Sequence, residues 1–199
     1  MASEYRARLT TKGNYGNESF RGPSSILSKT KGVVFPYTPV INYSHNVNYS
    51  EYELMHTNYA INSFVNSRPG NISITAQFVN QTVDEAKYTF GVIHFLRIVT
   101  KMNFGNNSNN PGTPPPVLEF SAYGTSNFNR VPVLVGSFST SYGNDVDYSS
   151  FKIDDQTEIR LPIKMEFSIE LMPQYSARKQ NNFDFEKFAQ GNSYKDGYI

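Results

Sequence analysis

The chain has 199 residues, a net charge of +1 and a charged fraction of 18%. That is enough for one domain, and too balanced for a built-in pull toward nucleic acid or a membrane surface. It holds no cysteine, which excludes disulfides and thiol nucleophiles.

Residues 1–31 are polar and irregular, with Gly13, Gly16, Gly22 and Pro23, and read as an N-terminal arm that orders only on a partner. The opening MASEYRARLTTKGN lacks the apolar stretch of a secretory signal. GVVFPYTPVI (32–41) is apolar, but Pro36 and Pro39 cannot donate to a ladder, so it reads as an extended or edge segment. Residues 45–55 suit a strand with Val47, Tyr49 and Glu51 on one face and Tyr52 and Leu54 on the other. NISITAQFV (71–79) alternates apolar and polar residues and predicts a half-buried strand.

A helix is predicted over 83–103. Thr82 and Glu85 have the spacing of a capping box, Asp84 adds negative charge at the positive helix end, and Gly105 offers a left-handed stop. Only Lys87, His94, Arg97 and Lys101 form a polar line; Ala86, Phe90, Val92, Ile93, Phe95, Leu96, Ile98, Val99 and Met102 are apolar. Such an arc exceeds the single stripe of an ordinary surface helix, so a neighbouring subunit is expected to cover the surplus, with Phe95, Ile98, Arg97 and Lys101 at that interface. The cationic line reads first as the wet face of the helix, and it also suits phosphates or acids on a partner.

NNSNNPGTPPP (106–116) reads as a stiff loop, followed by strands at 117–123 and 131–142. Residues 143–160 read as a long polar loop in which Asp145, Asp147, Asp154, Asp155 and Glu158 could gather a cation, although the spacing is not that of an EF-hand. LPIKMEFSIELM (161–172) predicts one antiparallel strand, with Ile163, Met165, Phe167, Ile169 and Leu171 inward and Lys164, Glu166, Ser168 and Glu170 outward. The C-terminal tail, 181–199, is polar apart from Phe183, Phe185 and Phe188, which are expected to anchor it on an adjacent subunit. The order strand, helix, then several strands argues for a mainly β fold: an antiparallel barrel or sandwich with one long helix and extended terminal arms.

No catalytic machinery is visible. His45, His56 and His94 show no metal-ligand spacing, and neither a nucleophile elbow nor a glycine-rich phosphate loop occurs. Cofactor and metal are expected to be absent. The N-x-S/T matches at Asn17, Asn42, Asn48, Asn71 and Asn80 are expected from composition alone.

The ordered series GVVFPYTPVI, HTNYAINSFVNSRPGNISITAQFVNQTVDEAKYTFGVIHFLRIVTKMNFG, GTPPPVLEFSAYG, FNRVPVLVGSF, DVDY and LPIKMEFSIELMPQY resembles the tube-fold proteins of contractile-tailed bacteriophages, over roughly residues 32–199. Members include tail tube, tube initiator and baseplate tube proteins. The resemblance implies a tube-type β-barrel domain over 32–180. Six copies would form a ring, and rings would stack with adjacent tube, baseplate or hub proteins around a channel for genome ejection. It further implies a non-enzymatic virion structural protein, assembled in the host cytoplasm, with no membrane partner and with DNA passing non-specifically through the channel. The alternative is a carbohydrate- or receptor-binding β-sandwich module of a phage tail, suggested by the tyrosine content and weakened by the absence of tryptophan.

Overall fold

Alternating apolar and polar residues build the middle of a sheet. The computed structural model describes residues 5–11, 20–105, 111–144, 146–154 and 157–199. In it, β1 (Arg8–Thr11), β2 (Gly32–Val34), β3 (Val40–Tyr52), β4 (Ile61–Val79), β5 (Leu118–Ala122), β6 (Phe128–Tyr142) and β9 (Lys164–Pro173) make one antiparallel sheet. Their order is β2-β1-β5-β6-β9-β4-β3, and β7 (Tyr148–Asp154) pairs with β8 (Thr157–Pro162) as a separate hairpin. The inward faces of β4 and β9 are Ile72, Ile74, Ala76 and Phe78 against Met165, Phe167, Ile169 and Leu171, all buried. Phe78 and Phe167 meet with ring centroids 4.6 Å apart.

The topology forces the sheet to curl. β2 and β3 are consecutive in the chain yet occupy opposite edges. Residues 35–39 that join them can span roughly 20 Å, whereas seven flat strands measure about 29 Å across. The edges must therefore approach each other, and Phe35 packs edge-on against Phe78 at 6.2 Å in the space between. Tyr123 Oη donates to the Pro39 carbonyl at 3.4 Å, tying the β5–β6 turn to this crossing. Pro36 and Pro39 both lie between strands, where a missing amide costs no ladder bond.

The helix α1 (Val83–Val99) carries the expected capping box. The Glu85 amide donates to Thr82 Oγ1 at 3.3 Å, and the Thr82 amide donates to Glu85 Oε2 at 3.0 Å. Its far end is corrected: the helix stops at Val99, not 103. Thr100 Oγ1 donates to the carbonyls of Leu96 (3.0 Å) and Arg97 (3.1 Å), satisfying the last turn locally, and Gly105 lies beyond the helix.

The N-terminal arm is also corrected within its described residues. Ala7, Leu9 and Leu27 are buried, and β1 sits between β2 and β5 in the sheet. The 3-10 turn Gly22–Leu27 packs along α1. Gly91 permits this approach: a Cβ there would lie 3.0 Å from the Pro23 carbonyl oxygen and 2.8 Å from Ile26 Cγ2. Phe20 stacks on Phe95 at 5.7 Å. On the next part of the helix Phe151 of β7 meets Phe90 at 6.0 Å. Much of the surplus helix face is thus covered from within the chain.

Two further expectations change. The polar loop 143–160 contains the β7–β8 hairpin, with Phe151 and Leu161 buried. The strand over 161–172 is broken at Ile163, because Pro162 offers no amide. There the Ile163 amide donates to Asp147 O at 2.8 Å, and Ile163 O accepts from the Asn80 amide at 2.6 Å. The tail does not begin at 181. Its boundary cuts α2 (Ala177–Asn181), which is followed by α3 (Phe185–Ala189). Tyr198 then returns to stack on Tyr175 at 5.8 Å and to donate to Lys179 O at 2.7 Å.

Candidate assembly surfaces

β3 and β4 outrun the rest of the sheet. β9 pairs with β4 only from Ile72 to Val79, whereas β3 follows β4 back to the Tyr52–Ile61 pair. The outer part is a two-stranded ribbon, almost all of whose residues are exposed. Register puts Tyr49 opposite Phe64, with rings 6.1 Å apart, on one face and Tyr52 opposite Ile61 on the other. All four are exposed. At the tip Met55 is 89% and Tyr59 86% exposed. The turn is nonetheless shaped: Thr57 Oγ1 donates to Leu54 O at 2.9 Å, and His56 takes a left-handed φ of 63°. At the ribbon base His45 Nδ1 hydrogen-bonds Tyr43 Oη at 2.8 Å, and its Nε2 bonds Ser67 Oγ at 3.0 Å. Gly70 allows Ser44 to cross closely, since a Cβ there would lie 2.9 Å from Ser44 O.

The two sheet edges differ. β2 is short, and its Val34 amide and carbonyl are both engaged by Tyr88 Oη at 2.8 Å. Burial pushes the Tyr88 hydroxyl above its ordinary pKa, against the lowering effect of the Val34 main chain. The long β3 edge has no such cover among the described residues.

A groove of about 620 Å³ lies at the end of α1, lined by Arg21, Arg97 and Lys101 together with Ile98, Met102 and Pro114. Among the described residues no carboxylate lines it. His94 borders it, and its Nδ1 is buried with no hydrogen-bond partner among the described residues. A larger open cleft, about 1180 Å³, separates the ribbon base from the C-terminal helices, with Phe64, Tyr175, Phe183, Phe185, Phe188 and Tyr198 among its walls. Burial raises the Tyr175 hydroxyl to about 12, outweighing the nearby Ile199 main chain, and among the described residues that hydroxyl makes no well-formed hydrogen bond.

The interface residues expected from the sequence divide three ways. Phe95 is 0% exposed and belongs to the chain's own core, because Phe20 covers it; its assignment to an outward face is corrected. Arg97, Ile98 and Lys101 come together in the cationic groove. Phe183, Phe185 and Phe188 meet in the cleft, with Phe185 73% exposed and Phe183 resting on Phe188 (5.4 Å) and Tyr198 (5.3 Å). The groove and the cleft share no lining residue. Sequence reasoning missed the ribbon tip; its signal was the run Tyr52, Leu54, Met55, Tyr59, Ile61 and Phe64 among polar neighbours.

In the acidic stretch, Asp145 and Asp155 lie outside the described residues. Asp147 Oδ1 accepts from the Tyr148 amide at 2.7 Å, and Glu158 pairs with Arg160 at 3.5 Å. Among the described residues no three His, Asp or Glu side chains gather as a metal site, and no helix is long and apolar enough to cross a membrane. In comparisons with known proteins, no family model and no curated protein matches this chain.

Proposed function

We propose that this chain is a non-enzymatic ring-forming protein of a contractile phage tail tube, at its baseplate-proximal end. It would act as a homo-oligomer of six copies around a channel for genome ejection, with its curled sheet as a tube-type barrel. The observation that carries this reading is the β3–β4 ribbon, which leaves apolar side chains on both faces and a long unpaired edge. The described residues of one copy leave both faces largely exposed, and open edges invite pairing with another chain. Phage tail tube proteins, which the sequence resembles, close such surfaces in rings.

The outward face of the central strands suits a channel wall. Across β4, β9 and β6 the rows Thr75–Ser168–Ser139 and Gln77–Glu166–Ser141 are wet and mostly neutral. Small hydroxyls and amides offer hydrogen bonds to water while giving DNA phosphates little to bind. Native mass spectrometry of the purified chain, alone and with tail-tube or baseplate partners, tests the reading. A closed multi-copy species is expected; a chain that remains monomeric in both settings refutes it.

The aromatic cleft favours a second reading, a carbohydrate-binding tail module, since aromatic walls stack on sugar faces. Saccharide-dependent shifts in Phe185 or Tyr198 NMR signals would support it.

A further inference from the structure

The ribbon tip and the groove at the end of α1 have complementary chemistry. The tip carries Glu51 and Glu53, both exposed, and no lysine or arginine lies between residues 46 and 66. Around those carboxylates stand Tyr52, Leu54, Met55 and Tyr59. The groove has the opposite arrangement: Arg21, Arg97 and Lys101 beside Ile98, Met102 and Pro114, with no acid in the lining among the described residues. Among the described residues no carboxylate forms a salt bridge with any of the three cations. Met102 is 49% exposed although it adjoins the helix that builds the core.

We propose that the ribbon tip of one copy docks in this groove of a second copy, setting Glu51 and Glu53 against Arg97 and Lys101, and Met55 against Ile98 and Met102. The proposal rests on the ring-forming reading above and names the contact that would link its copies. Reach supports it: from Ile72, the last residue paired with β9, to Ile61 the ribbon runs roughly 36 Å at about 3.3 Å per residue, more than the roughly 30 Å diameter of a small domain. The turn has an internal hydrogen bond and a fixed left-handed residue, so docking would order little additional chain. Another acid-bearing element, the β7–β8 hairpin, fits less well because its buried Phe151 commits it to α1 of its own chain. The contact is also heterologous, tip to groove, which is the kind that generates rings or stacked assemblies rather than closed pairs.

The absence of native cysteine allows a direct test. Full-length chains carrying Met55→Cys are mixed with differently tagged chains carrying Met102→Cys and treated with a short bismaleimide. Met55→Cys with Lys87→Cys, on an exposed part of the helix away from the groove lining, is the control pair. The 55–102 product should exceed the 55–87 product by about tenfold. Arg97→Glu with Lys101→Glu in the groove partner should reduce it to the control level, since like-charge juxtaposition is strongly unfavourable. Glu51→Lys with Glu53→Lys in the ribbon partner should then restore it. If wild-type chains oligomerise but the 55–102 product stays at the control level, or the charge reversal changes nothing, the docking is wrong and the ring reading survives. If wild-type chains stay monomeric with and without tail partners, ring and contact fall together. Selective loss of the product when duplex DNA is added would assign the cations to phosphate and would also overturn the proposal.

Discussion

Asn80 is the buried polar residue on which the junction of sheet, helix and hairpin depends. It is fully buried. Its Nδ2 donates to Pro162 O at 2.9 Å, its Oδ1 accepts from Thr89 Oγ1 at 2.5 Å, and its amide donates to Ile163 O at 2.6 Å. One side chain therefore links the end of β4, the second turn of α1 and the break between β8 and β9. Asn80→Ala keeps the main-chain bond and removes both side-chain bonds. Each is worth about 1 kcal/mol net, and the stranded Pro162 carbonyl and Thr89 hydroxyl add roughly 1–3 kcal/mol more, so the expected loss is about 3–5 kcal/mol. Against a typical stability of about 5–15 kcal/mol, that is a large fraction. Asn80→Asp should cost more, because it turns a carboxylate oxygen toward the Pro162 carbonyl in a buried site. The assay is urea denaturation of Asn80→Ala, Thr89→Val and the double variant, followed by far-UV circular dichroism and compared at constant m. The double should cost about 1 kcal/mol less than the sum of the singles, since both remove one shared bond. A loss below about 1 kcal/mol for Asn80→Ala, or strict additivity, would refute the role assigned to this network.

Other predictions follow from the same geometry. Phe167→Ala should cost about 3–5 kcal/mol, because the ring is fully buried against Phe78, whereas Glu166→Ala on the wet face should be nearly neutral; equal shifts in urea melts would mean the faces are reversed. Gly91→Val should displace the 22–27 turn from α1, seen as faster hydrogen exchange or proteolysis near Ile26, because even a Cβ already meets Pro23 O at 3.0 Å; unchanged protection would contradict the packing. Tyr175, with its pKa raised to about 12 by burial, stays protonated in the fold when the unfolded chain has begun to ionise. Its contribution is complete below about pH 10 and is lost as pH rises toward 12. Tyr175→Phe should flatten that alkaline decline in stability, and an unaltered slope would show that the hydroxyl is not responsible.

Local signals were legible and long-range ones were not. The capping box at Thr82 and Glu85 needs only four consecutive residues, and it formed as its spacing implied. The alternation in β4 and β9 marked the correct core face for the same reason. The N-terminal segment looked unable to fold because its apolar residues are few and scattered; among its described residues Ala7, Leu9, Phe20 and Leu27 reach the core or pack against it. Its order comes from pairing with β5, a contact over 109 positions that no local pattern reveals. In the β7–β8 hairpin, acids concealed the spacing of Phe151, Ile159 and Leu161. Asn80 read as a chance glycosylation match, since nothing local reports its burial. Of the candidate site, Arg97, Ile98 and Lys101 were found because charge on a helix face is visible in sequence. Phe95 was misplaced because its cover, Phe20, is far away in the chain. The predicted strand began at Asn71, whereas β4 starts at Ile61; Pro69 is tolerated within it because at that point β4 has a partner only on its β3 side.

Electron cryomicroscopy of the chain assembled with its tail partners would show whether the copies close into the proposed ring around a channel. Six copies per ring are expected, with Thr75, Ser139 and Ser168 facing the lumen and the β3–β4 ribbon buried between copies. A particle without a channel, or a ring in which the ribbon stays free in solvent, would contradict it.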